Sequence, residues 1–129
     1  MVVGSIPTEG APKRGILSQS ELVQLVTELL SAYQDKNIVS IAKMFAKDVV
    51  LRDWNLEVTG KEAAIAEFTK NFNSVKSLKI EVLRVYESSG AVAAEIEIVI
   101  DGNETLRVVD IVSFNEDRLV TFIISYKGL

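Results

Sequence analysis

The sequence predicts an α+β layer fold, with three helices laid on one side of a curved antiparallel sheet. Three observations carry this. Apolar residues recur at helical spacing three times before Ser77. From Leu78 onward the pattern changes to strand-like alternation, rich in β-branched residues. The alternating segments are joined by short runs of turn formers, which makes each join a hairpin.

Residues 1 to about 17 carry Gly4, Pro7, Gly10, Pro12 and Gly15 among scattered charges and predict a flexible tail. A single domain is expected over 18–129. Ser18-Gln19-Ser20-Glu21 fits a capping box at the start of helix one. Leu22, Leu25, Val26, Leu29, Leu30 and Tyr33 follow on one face. Asn37 is the expected cap of helix two, whose inner face is Ile38, Ile41, Ala42 and Phe45, with Ala46-Lys47-Asp48 ending it. Val49 to Trp54 reads as a short strand in which Asp53 shares a face with Val49 and Leu51 while Arg52 and Trp54 point the other way. Thr59-Gly60-Lys61-Glu62 is a second capping box; Ala63, Ala64, Ile65, Phe68 and Phe72 form the buried face of helix three, and Asn73 and Ser74 close it.

Four strands remain. Leu78 to Tyr86 changes phase between Val82 and Leu83, the mark of a bulge or of two buried faces. Ala91 to Ile100 alternates Val92, Ala94, Ile96, Ile98 and Ile100 against Glu95 and Glu97. The third strand ends at Phe114, and Leu119 to Tyr126 is the last. In the third, Leu106, Val108, Val112 and Phe114 share a face, and Asp110 stands in the middle of it. A carboxylate on an apolar face is costly unless it is paired, wet or protonated. Burial there raises its pKa and favours the neutral acid, which is able to donate a hydrogen bond.

Composition narrows the chemistry. The chain has no histidine and no cysteine, which excludes Ser-His-Asp triads, thiol nucleophiles and disulfides, and neither a metal nor a cofactor is expected. Acid–base work falls to carboxylates, tyrosines, lysines or water. A net charge of -4 argues against nucleic acid or an anionic membrane as partner. No apolar run reaches the length of a membrane span, and the first residues lack the basic and apolar regions of a signal peptide, so a cytoplasmic protein is expected.

The order of elements, the run Ile41-Ala42-Lys43-Met44-Phe45-Ala46-Lys47-Asp48-Val49-Val50-Leu51-Arg52-Asp53, the Thr59-Gly60 start of helix three and Asp110-Ile111-Val112-Ser113-Phe114-Asn115 resemble the nuclear transport factor 2-like superfamily. The chain is most similar to its SnoaL-like and ketosteroid isomerase-like branch, over roughly 18–128. The resemblance implies a cone-shaped pocket in which Asp53 is the general base and Asp110 a neutral acid donating to an oxyanion. The family's oxyanion tyrosine falls at Leu29, which donates nothing; Tyr33, one turn on, and Tyr126, on the last strand, are the candidate donors. Trp54 completes the candidate substrate-binding set of Tyr126, Tyr33, Leu29 and Trp54. The implied activity is proton transfer next to a carbonyl of a small apolar molecule. The same fold also serves as a ligand-binding or assembly module without chemistry. The resemblance further implies a homodimer through the outer face of the sheet, where Glu95 and Glu97 would meet Arg84 and Arg107.

Overall fold

A computed structural model describes residues 20–128. The N-terminal tail and the Ser18 cap fall outside the described residues. Helix α1 spans Glu21–Gln34, α2 Ile38–Met44 and α3 Lys61–Asn73. The strands are β1 Phe45–Arg52, β2 Glu57–Thr59, β3 Leu78–Ser88, β4 Ala91–Ile100, β5 Glu104–Phe114 and β6 Val120–Lys127. They form one six-stranded sheet in the order β2-β1-β6-β5-β4-β3. Strands β3 to β6 are an antiparallel meander, and β1 joins β6 in parallel. The three helices cover one face of this curved sheet, giving the α+β cone that the pattern predicts.

Two of the three helix starts differ from expectation. The cap of α1 is Ser20, whose hydroxyl accepts from the Val23 N–H at 3.1 Å. Asn37 caps α2 as expected, accepting from the Ser40 N–H. Thr59 caps nothing, because it ends β2, a three-residue strand that pairs with β1 and that periodicity is too short to reveal. Gly60 takes its place with φ +98, a backbone conformation that glycine adopts without strain. Helix two also ends early. Phe45, Ala46, Lys47 and Asp48 belong to β1, and Phe45 is shut in at 2% exposure as a strand residue. Ala63 faces solvent, while Ala64, Phe68 and Phe72 are buried.

The core lies between helices and sheet. Val26, Ile41, Val49, Val92, Val112 and Val120 are closed off from solvent. Tyr33, Phe45, Phe68 and Phe72 pack edge to face, with the Tyr33 ring 5.0 Å from Phe68 and 4.8 Å from Phe72. Along β4 the inward residues Val92, Ala94 and Ile96 are buried, but Ile98 and Ile100 are only half-buried. The packing therefore opens toward the β4–β5 hairpin. Bulges in β3 and β6 bend the sheet. On the outer face, Arg107 reaches both Glu95 and Glu97, at 3.6 and 3.4 Å. These glutamates thus find their cation within their own chain, in exposed pairs worth at most about 1 kcal/mol each.

Candidate functional site

The open end of the cone is a cavity of about 310 Å³. This is at the small end of ligand pockets, which run from roughly 300 to 1,000 Å³. Helices α1 and α3 form one wall with Leu29, Leu30, Tyr33, Phe68 and Asn71; β3, β4 and β5 form the opposite wall with Ile80, Ile96, Ile98, Leu106 and Val108. Trp54 and Asn55 stand at the mouth on one side, Ser74 and Val75 on the other.

Asp110 is on the sheet side of the cavity, as its place in the alternation of β5 requires. Its cross-strand neighbours are Ala94 on β4 and Ser125 on β6. Both are small side chains. The Ser125 hydroxyl donates to Asp110 Oδ1 at 2.6 Å. What surface the carboxyl keeps is turned to the cavity. Burial pushes its pKa up to about 6, and the Ser125 hydrogen bond works against that rise. The direction is the one expected from the strand pattern, where burial favours the neutral acid.

Asp53 reaches the same cavity by a different route. The chain has already left β1 at Arg52, so strand alternation no longer applies, and Asp53 and Trp54 both line the cavity. Asp53 Oδ1 accepts from the N–H groups of Asn55 (2.7 Å) and Leu56 (3.0 Å), and its own N–H donates to the Leu56 carbonyl. The carboxylate is thus the organiser of the loop that leads into β2. Trp54 is 46% exposed at the mouth, with the Lys127 ammonium 5.8 Å above its ring.

Tyr33 lines the cavity, and its hydroxyl oxygen accepts a long 3.4 Å bond from Asn71 Nδ2. Among the described residues the hydroxyl proton has no acceptor, so it is available to a ligand. Burial raises the Tyr33 pKa, the Asn71 bond lowers it, and the charges of Asp110 and Asp53 raise it further. The hydroxyl therefore stays neutral and able to donate. Leu29 is 4% exposed and contributes only apolar wall.

Tyr126 is not part of the site. It stands 55% exposed on the outer face of the sheet, opposite Val109. The reason is the bulge in β6: Phe114 pairs with Val120, yet Ser113 pairs with Phe122. One residue, Thr121, is skipped, and the inward series becomes Val120, Ile123, Ser125. Ser125 and Asn71 are the residues that sequence reasoning missed. Asn71 carried a readable signal, since it stands three residues after Phe68 on the same helical stripe. Among the described residues no group of three or more His, Cys, Asp or Glu comes together to hold a metal ion, and no helix is long and apolar enough to cross a membrane.

A helix-backed cone on a six-stranded curved sheet is the fold of the SnoaL-like domain family, and the chain belongs to that family, whose model matches residues 26–122. No curated protein gives a significant match. Solved structures do. An NTF2-like protein of unknown function from Cytophaga hutchinsonii is 18% identical, with 88% of this chain and 95% of that one covered and a TM-score of 0.71. A Kribbella flavida protein provisionally named a ketosteroid isomerase is 14% identical, with 84% and 78% covered and a TM-score of 0.74. A Shewanella putrefaciens protein provisionally named a SnoaL-like polyketide cyclase is 12% identical, with 92% of each chain covered and a TM-score of 0.74. At these identities the likeness establishes the fold.

Proposed function

We propose that this protein transfers a proton next to a carbonyl of a small, apolar substrate held in the cone. The observation that carries this reading is Asp110, set on the sheet side of an apolar cavity with a pKa of about 6. A general base works best when its pKa lies near the operating pH, because it is then both ionised and basic. In this reading Asp110, through Oδ2, takes the proton α to the carbonyl. The Tyr33 hydroxyl donates to the developing enolate oxygen and is held by Asn71. The carboxyl then returns the proton to the same or a conjugated carbon. In this reading the roles differ from those implied by family resemblance: Asp110, its pKa raised by burial to about 6, is the base, and Asp53, whose Oδ1 holds the loop after β1, is the anchor.

The test is α-proton exchange into deuterated water, followed by NMR, for cyclic ketones and β,γ-unsaturated ketones small enough for the cavity. Conversion of the unsaturated ketones to conjugated enones is followed by absorbance. Asp110→Asn is expected to slow exchange by about 10²- to 10⁴-fold, the usual contribution of a general base. Tyr33→Phe is expected to cost about 10²-fold, in the lower range for an oxyanion donor. Exchange at the wild-type rate in Asp110→Asn overturns the reading. Leu29 on the helix wall favours a second reading, a pocket that binds without chemistry; ketone binding with no exchange would establish it.

We also place self-association on the outer sheet face, where Tyr86 and Tyr126 stand exposed beside the Arg107 ion pairs. Light scattering is expected to give a dimer at micromolar concentration, and a monomer overturns this.

A further inference from the structure

The charge inventory of the cavity says more about its occupant than shape does. Its ionisable lining is Asp53, Asp110 and Tyr33, and among the described residues no lysine or arginine lines it. The two lysines that approach the rim are engaged elsewhere. Lys36 Nζ donates to the Val75 and Lys76 carbonyls, at 2.6 and 3.3 Å, and Lys127 lies over the outer Trp54 ring. Asp110 Oδ1 is taken by Ser125, whereas Oδ2 has no donor among the described residues. The walls beside it are Ile96, Val108 and Leu106. In such a medium a charge is weakly screened, so a second charge brought in by a ligand is felt strongly.

We propose that the cavity selects its ligand by charge: it accepts neutral and cationic apolar molecules, takes a protonated apolar amine best, and rejects anions of the same shape. An ammonium group donates directly to Asp110 Oδ2 in a charge-assisted hydrogen bond, with no cation of the protein to displace. A neutral alcohol makes the same hydrogen bond without the Coulomb gain. A carboxylate brings a third anion into a space that holds two, and among the described residues no lysine or arginine lines the cavity to offset it. This deepens the proposed function by naming the charge class that the site admits. It rests on the cavity being the ligand site and not on the proton transfer itself.

The experiment uses the full chain and three molecules of nearly equal shape: benzylamine, benzyl alcohol and benzoate. Dissociation constants are measured by NMR titration at pH 7.5 and constant ionic strength. The expected order is benzylamine, then benzyl alcohol, then benzoate, with about tenfold or more between the first and last, as one poorly screened charge pair produces. Asp110→Asn preserves shape and is expected to collapse that ratio; Asp53→Asn is expected to reduce it less. Benzoate binding as tightly as benzylamine to the wild type overturns the proposal, whatever the variants do. An unchanged ratio in Asp110→Asn, or no binding by any of the three, also overturns it. The charge order without any α-proton exchange supports this proposal and removes the proton-transfer reading. Exchange without the charge order does the reverse.

Discussion

Asp110 and Asp53 line one cavity and are held in opposite ways. Asp110 projects from the middle of β5, a strand paired on both sides, and its single partner is a side-chain hydroxyl. Asp53 projects from the first residue after β1, and its partners are two backbone N–H groups of the loop that it begins. The first carboxyl is fixed by the sheet and pays for its position in desolvation. The second fixes the backbone around it. The difference teaches that two identical residues in one pocket take separate tasks from what their backbone is doing. A strand interior supplies a desolvated group with a raised pKa; a loop start supplies an anchor.

The largest effect that sharpens this comparison is in stability against pH. Unfolded, Asp110 titrates near the model value of 3.8; folded, it titrates at about 6. Between these values the folded state holds the extra proton. Its contribution to stability is therefore fully present below about pH 4 and is lost as pH rises through 6. The shift of about two units corresponds to up to about 3 kcal/mol. Asp110→Asn removes the titration, so its stability relative to wild type is expected to rise by up to about 3 kcal/mol between pH 4 and pH 8. Urea unfolding of both proteins at the two pH values measures this, and the other carboxyl groups cancel in the difference. A difference independent of pH would show that Asp110 is not desolvated. Ser125→Ala provides the finer control. Removing the donor that favours the carboxylate is expected to move the Asp110 midpoint above 6, measured from its side-chain carbon shift.

The same contrast explains what was legible in the sequence. Asp110 announced itself because a polar residue interrupted a strict two-residue period, and strand faces in a long paired strand follow that period. The helix–sheet division, the bulge in β3 and the β4–β5 hairpin were legible for the same reason. Tyr126 was misplaced by resemblance and Ser125 was missed because the skipped residue in β6 comes from its pairing with β5, a tertiary event that reverses every face after Thr121. Phe45 and Thr59 were misread because β1 and β2 are strands only by virtue of the partners they pair with. The direction of the Asp110 pKa shift was legible from its apolar face, but its size was not. It is a balance between burial and one hydroxyl, and that hydroxyl lies 15 residues away in sequence.

A smaller effect breaks the comparison most cleanly, because it separates the two tasks at Asp53. Asp53→Asn keeps an oxygen able to accept from the Asn55 and Leu56 N–H groups, whereas Asp53→Ala keeps none. If the carboxylate is an anchor, Asp53→Ala is expected to lose about 1 kcal/mol of stability, the net worth of such hydrogen bonds, and Asp53→Asn to lose little. Proton exchange on the ketone substrates should then fall by less than about tenfold in Asp53→Asn, because the loop and the base on β5 are both intact. If Asp53 is instead the base that family resemblance implies, Asp53→Asn keeps its stability but loses about 10²- to 10⁴-fold in exchange. The two variants therefore assign the proton-abstracting group between floor and mouth without requiring either to unfold the protein. Denaturant titration beside the exchange assay reads both halves of the answer on the same samples.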